Sequence, residues 1–432
     1  MRYTIARNGR RGVDLRQLTA AFVTATVVTT SACDRLLSVQ NPANVPVDAL
    51  TDPGLMPTLE SGALQSFQCA WDNYIPTAGV LSGEYWVSSN FVNSHPWEWR
   101  GIVQIKQEPG SCPGRTATSM GFYTPMQQAR FQLDDLFKRA SEFTDADVPN
   151  RQRMLTEARA YGAYAYLILG ETMCDMTVDG GPKLTSAEVW KMAEDKFTEA
   201  ITLATALGDN SLKNMAIAGR ARARLDLGKL AEAAADARLV PGPSSGQPLG
   251  FVRNAEYNAS TTTQSRENRL FNMTFPNLFI SVAPPYQGLT VDGKPDPRVP
   301  VTDLKKVGQD GVTPYFQQQL FKTVSTPIPI ASYIESQLIL AEASSDQAEK
   351  LAALNRVRAI NSISPLVGTV TDDIILEERR RQLFSQGQRY TDMLRKKLPF
   401  QTGTNRKGQV YSNLTCIPLP DVETQNNPNL KG

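Results

Sequence analysis

The chain has 432 residues and carries 45 Lys and Arg against 43 Asp and Glu. Five of those basic residues and one acid lie within residues 1–32, so the rest carries 40 against 42 and is close to neutral. That balance gives no electrostatic case for a nucleic-acid partner. The single histidine, His95, rules out a His-based metal cluster and an HExxH site.

The first 32 residues read as an export signal. Arg2, Arg7, Arg10, Arg11 and Arg16 form a basic region with Asp14 as its one acid, the run Leu18 to Thr30 is uncharged, and Ser31-Ala32 offers a small-residue cleavage site. The apolar run is shorter than the roughly 20 residues a membrane-spanning helix needs. The following Cys33 makes the segment resemble the lipobox of bacterial lipoproteins, in which the cysteine is acylated and becomes the mature N-terminus. Thr30 departs from the usual leucine, and ordinary cleavage near Ala32 would leave Cys33 a plain thiol. The expected organisation is a signal over 1–32, a lipidated tether over 33–60 rich in Pro, Asn and Asp, and one domain over 61–432. No later segment is apolar enough to span a membrane. Four further cysteines suit two disulfides with three connectivities open. Cys69 and Cys112 are the preferred pair because both lie in a loop-rich N-terminal third; such a bridge contributes about 4 kcal/mol on loop-entropy grounds.

Taken in order, residues 61–124 read as irregular and aromatic. Helical periodicity follows over 125–144, with Leu133 and Leu136 among charges, and over 151–173, where Leu155, Tyr161, Tyr164 and Leu167 make most of the circumference apolar. A helix pair over 193–207 and 215–240, broken at Gly208-Asp209-Asn210, carries small residues at Ala218, Gly219, Ala221 and Ala223 that let a neighbour approach closely. It resembles a tetratricopeptide (TPR) unit as much as any alanine-rich hairpin. Residues 241–330 lose periodicity and are rich in Gly, Pro, Ser and Thr, as ordered irregular structure on a scaffold would be. Helices return over 333–343, beyond a short turn at 344–346, and over 372–397, where Glu377 precedes Arg380 and Arg381 at steps of three and four. The helical core is thus expected over 125–240 and 331–398.

Leu340-Ala-Glu-Ala343, Leu354-Asn-Arg-Val-Arg-Ala359 and Ile375-Leu-Glu-Glu-Arg-Arg-Arg-Gln-Leu-Phe-Ser-Gln-Gly-Gln-Arg-Tyr390 together resemble the C-terminal core of SusD/RagB-type proteins. Asn41-Pro42, Asp296-Pro-Arg298, Ile417-Pro-Leu-Pro420 and Asn427-Pro-Asn429 match smaller signatures of that family in the same order. The resemblance implies a mostly α, right-handed TPR-like scaffold with an irregular loop-rich binding region. It also implies a lipid anchor in the outer membrane at the cell surface, and a partner TonB-dependent (SusC-like) transporter. The ligand would be an oligosaccharide or peptide, bound without cofactor or catalysis. Gln382 and Gln386 stand where the family usually has glutamates, which puts a buried charge network there in doubt.

Residues 71–99 hold Trp71, Trp86, Trp97 and Trp99, interleaved with Tyr74, Tyr85, Phe91 and His95 and with polar side chains. Sugar C–H faces pack on aromatic rings while hydroxyls seek amides, carboxylates and guanidinium groups. Tyr85, Trp86 and Trp97 are the expected ligand aromatics, with Asn90 and Arg100 as polar partners and Tyr286 contributed by the later irregular region. In an extended segment Trp97 and Trp99 would share a side; for Trp71 and Trp99 a core role is equally open. Arg379 to Arg381 read as an ion-pair lattice. No Walker motif or dinucleotide glycine motif occurs, and Gly242-Pro-Ser-Ser-Gly246, which fits G-x-S-x-G by letter, lies in the stretch without helix or strand periodicity. A TPR-type envelope scaffold and, on the strength of plentiful carboxylates, a surface glycosidase are the competing readings.

Overall fold

The computed structural model describes residues 50–107, 109–112, 120–259 and 267–430. The signal, Cys33 and Asn41-Pro42 lie outside them. The chain from Pro53 onward forms one unit.

Its first helix, α1 (Met56–Leu81), corrects two expectations: the tether does not extend to residue 60, and residues 61–81 are not irregular. Phe67, Ala70, Trp71, Tyr74, Ile75 and Ala78 recur at helical steps, and from Cys69 onward every residue of the helix is buried. A helix apolar all round belongs between neighbours, and α1 packs on several later helices. Trp71 stacks on Phe67 and meets Tyr74 and Tyr164, so it is core. A short strand β1 (Tyr85–Val87) and two short helices, α2 (His95–Trp99) and α3 (Ile102–Gln107), follow.

The helical array is α4 (Tyr123–Ser141), α5 (Arg151–Thr172), α6 (Ser186–Leu207), α7 (Asn210–Asp226) and α8 (Leu230–Leu239). Each packs on the next. A capping box between Thr185 and Glu188 starts α6, and Asp209 caps α7 by accepting from Leu212 N–H. A β-carbon on Gly219 would sit 2.3 Å from Phe197 and 2.9 Å from Tyr164, so glycine is what allows α7 this close to α6 and α5. The helix expected over 215–240 is two, broken at Leu227-Gly228-Lys229.

The middle of the chain is built of antiparallel pairs. Strand β2 (Val252–Ala255) leads to a one-turn helix α9 (Arg269–Thr274) and then β3 (Ile280–Val282), β4 (Thr290–Val291), β5 (Lys294–Pro295), β6 (Val301–Val307), β7 (Pro314–Gln318) and β8 (Ile328–Ser332). The pairs are β1 with β3, β2 with β8, β4 with β5 and β6 with β7, with Trp86 opposite Ser281. Helices resume with α10 (Tyr333–Ala343) and α11 (Gln347–Ile360), which pack on each other, and α10 also packs against α7 and α8. The helix expected over 372–397 is α12 (Asp372–Gln382) and α13 (Gln388–Arg395), separated by a turn that seats on α1, where Tyr74 Oη donates to Gly387 O at 2.9 Å. A short α14 (Asp421–Asn426) ends the fold.

Two disulfides are present: Cys69–Cys112, and Cys174–Cys416, which spans 242 positions and ties the C-terminal segment to the end of α5. Among the described residues no helix is long and apolar enough to cross a membrane.

The glutamines at 382 and 386 do not leave the core without a charge network; other acids supply it. Arg379 is held by Asp392, Arg395 by Asp392 and Glu342, and Arg222 bidentately by Glu171. Arg298 of the Asp-Pro-Arg motif binds Asp296 through Nε and Nη2, and Glu378 through Nη1 at 2.6 Å, while Arg358 takes the other Glu378 oxygen. Arg380 and Arg381 pair with Glu377, so the arginine run is structural.

Candidate functional site

The sequence places four tryptophans within a short stretch, and the fold separates them. Tyr85 alternates inward on β1, is fully buried, and pairs its hydroxyl with Ser385 Oγ. Its ring stacks on Phe384, as does that of Tyr286, 5.0 Å from the same ring. Two of the expected ligand aromatics are therefore brought together, but inside the molecule. Trp97 is buried too: α2 is helical, so Trp97 and Trp99 do not share a side.

Arg100 is also interior, 1% exposed, and holds the loop in place. It closes α2 in the left-handed conformation (φ 58°), a strain of about 1 kcal/mol for a non-glycine residue. Its guanidinium offsets that strain by donating to three backbone carbonyls: Leu414 O at 2.8 Å, Gln401 O at 2.6 Å and Ser412 O at 2.9 Å. The rings of Phe400 and Tyr411 each lie 5.3 Å from it. Glu98 completes the clamp, accepting from Val87 N–H at 2.6 Å and from Arg406. Arg406 in turn lies 4.6 Å from the ring centre of Trp86, which leaves Trp86 half-buried.

What remains open to solvent is a cleft of about 530 Å³ between the aromatic stretch and the C-terminal segment. Val92, Pro96 and Trp99 form its apolar walls, and Asn90, Asn93, His95, Gln104 and Gln409 its polar ones. Of the six expected ligand residues only Asn90 lines it. Asn90 is positioned from both ends: its N–H donates to Gln309 Oε1 at 2.8 Å and its amide to Gln309 O at 3.3 Å. His95 Nε2 lies 2.8 Å from Ser89 O, and burial, followed by the charge of Lys407, holds the imidazole pKa below its ordinary value. Trp99 lies across Gly101, where a β-carbon would come within 2.3 Å of the indole. Val92 is itself 86% exposed, and two further apolar side chains are exposed near these walls in the chain, Val103 (56%) and Val410 (67%).

The cleft can hold a flat apolar face against Trp99 and Val92 while satisfying several hydroxyl or amide groups around it. The aromatic clustering pointed to this stretch, yet Trp99 and His95 were not singled out as site residues, and Gln409, some 300 positions away, carries no sequence signal at all. Among the described residues, no group of three or more His, Cys, Asp or Glu could hold a metal ion.

No family model matches the chain, and no curated protein does either. Solved structures do. A SusD-like carbohydrate-binding protein from Bacteroides vulgatus aligns with a TM-score of 0.65 at 14% identity, covering 88% of this chain and 97% of its own. The fold is SusD-like. A laminarin-binding SusD-like protein aligns at 0.63 and 16% identity over 85% of this chain and 97% of that one. Surface glycan-binding protein A from Bacteroides thetaiotaomicron, solved in complex with laminarihexaose, aligns at 0.63 and 13% identity over 86% and 98%. At these identities the likeness is one of architecture.

Proposed function

We propose that this protein captures an oligosaccharide in the Trp99 cleft without transforming it. The observation that carries the reading is the cleft itself: an indole face and a valine surrounded by amides, on a fold shared with proteins described as glycan-binding. A pyranose ring needs an aromatic or aliphatic surface for its C–H face and paired donors and acceptors for its hydroxyls. The cleft supplies both.

Its lining holds no carboxylate, whereas glycoside hydrolysis needs a facing pair of them. That lining supports capture over cleavage. The lipobox-like segment ending at Cys33 supports anchoring of the protein at the outer-membrane surface, and the family resemblance supports delivery of the ligand to a TonB-dependent transporter. Migration of the purified protein through gels containing β-glucan or xyloglucan tests the reading. Retardation by a glycan that is recovered intact agrees with it; released reducing sugar would instead favour a glycosidase. Co-purification of a large β-barrel with a plug domain tests the transporter partnership.

A further inference from the structure

The polar walls of the cleft are amides and an imidazole, and among the described residues the cations near them, Arg100, Lys106, Arg406 and Lys407, are engaged. Arg100 points inward onto backbone carbonyls. Lys106, two residues beyond Gln104 on α3, is 3.1 Å from Asp421. Arg406 is bound by Glu98 and covered by Trp86. Lys407 is 2.6 Å from Asp310 and donates to Ser89 O.

Resting on the capture reading, we infer that this cleft selects uncharged glycans and discriminates against chains bearing uronate or sulfate groups. An anionic group entering it would shed water and find amide donors but, among the described residues of the lining, no cation. The desolvation of a charge is offset only by a charged or multiply donating partner. A sugar hydroxyl both donates and accepts, as do the side chains of Asn90, Asn93, Gln104 and Gln409, so a neutral ring loses nothing on entry. His95 fits the same pattern: burial and the nearby charge of Lys407 outweigh the pull of the Ser89 carbonyl and hold its pKa below the ordinary value, so it adds no fixed positive charge to the wall.

The discrimination is read by isothermal titration of the purified protein against matched polymers. The panel contains laminari- and xylogluco-oligosaccharides, methyl-esterified homogalacturonan, its de-esterified form, and alginate. The expected result is binding of at least one neutral glycan, with each acidic chain at least tenfold weaker and with Trp99→Ala lowering the neutral affinity tenfold or more. Gln104→Lys, at an exposed position, places an unpaired cation on the wall and is expected to narrow the gap between esterified and de-esterified chains. Acidic glycans bound as well as or better than neutral ones by the wild type would overturn the selectivity while leaving capture intact. Neutral binding untouched by Trp99→Ala would place the ligand elsewhere and overturn the assignment to this cleft. Failure of every glycan, neutral or acidic, would sink the capture reading itself.

Discussion

The indole of Trp99 rests over Gly101, close enough that a β-carbon on residue 101 would lie 2.3 Å from the ring and 2.8 Å from Gln104 Oε1. The glycine sets the attitude of the one tryptophan that faces the cleft. Gly101→Ala is therefore expected to tilt Trp99 and crowd Gln104, weakening glycan affinity about tenfold, or about 1.4 kcal/mol. Overpacking at such a site costs about 1–3 kcal/mol of stability, so titration calorimetry should be paired with a melting curve. An alanine variant that keeps full affinity contradicts this role.

Arg100 bolts the aromatic loop to the C-terminal segment. Arg100→Ala leaves three part-buried carbonyls without that donor, each at a cost of about 1 kcal/mol or more. A loss of about 3–5 kcal/mol in denaturant unfolding is expected, together with loss of ligand binding. Arg100→Lys should rescue little, since an ammonium cannot span the three carbonyls in the plane the guanidinium does. Full stability in the lysine variant would show that the charge alone matters.

Acid should destabilise the protein through Asp392. Burial opposes its ionisation, but Arg379 and Arg395 outweigh that and hold its pKa at about 2. The folded value lies below the unfolded one, so this contribution of about 2 kcal/mol is present above pH 4 and lost as pH falls towards 2. Asp392→Asn should remove that limb of the stability curve, and urea unfolding between pH 2 and pH 5 measures it.

Glu84 acts in the opposite sense. Its burial outweighs the hydrogen bond from Ser385 N–H and pushes its pKa up to about 7. The folded chain keeps a proton that the unfolded chain releases, so stability falls as pH rises from about 4.5 to 7, by up to about 3 kcal/mol. Glu84→Gln should flatten the curve in that interval. An unchanged slope would mean that Glu84 is ionised in the fold.

The two disulfides should differ in weight. The Cys174–Cys416 bridge closes a loop of 242 positions and Cys69–Cys112 one of 43. On loop-entropy grounds the longer is worth about 5 kcal/mol and the shorter about 4. The Cys174→Ser/Cys416→Ser double variant should be the less stable of the two pairs, and it should also loosen the segment that carries Gln409. Equal midpoints for both variants would argue against the entropic account.

Much of the scaffold was legible in sequence because TPR-like helices expose their pattern: Leu133 and Leu136, the apolar circumference of α5, and the small residues beside Gly219 all declare their packing. The breaks inside two expected long helices were harder to see. Gly228 sits in an alanine-rich run, and the turn before α13 is fixed by contact with Tyr74 from the far end of the chain. Helix α1 was misread because Pro76 and a dense aromatic content resemble a loop, although a helix buried on all sides has no polar face to give it a period. The cleft borders the aromatic stretch, and of the residues expected there Asn90 lines it while five others do not. Tyr85, Trp97, Arg100 and Tyr286 have the composition of a binding platform, yet β1 turns Tyr85 inward, α2 turns Trp97 inward, and Arg100 finds its acceptors some 300 positions downstream. Local chemistry names the candidates; which of them reach water is decided by segments distant in sequence.

A crystal structure of the protein with a bound neutral oligosaccharide tests the central claim most directly. The account predicts a sugar ring stacked on Trp99, with hydroxyls bonded to Asn90, Gln104 or Gln409 and the glycosidic bonds intact. A ligand seated on the helical array, or a cleaved chain in the cleft, would contradict it.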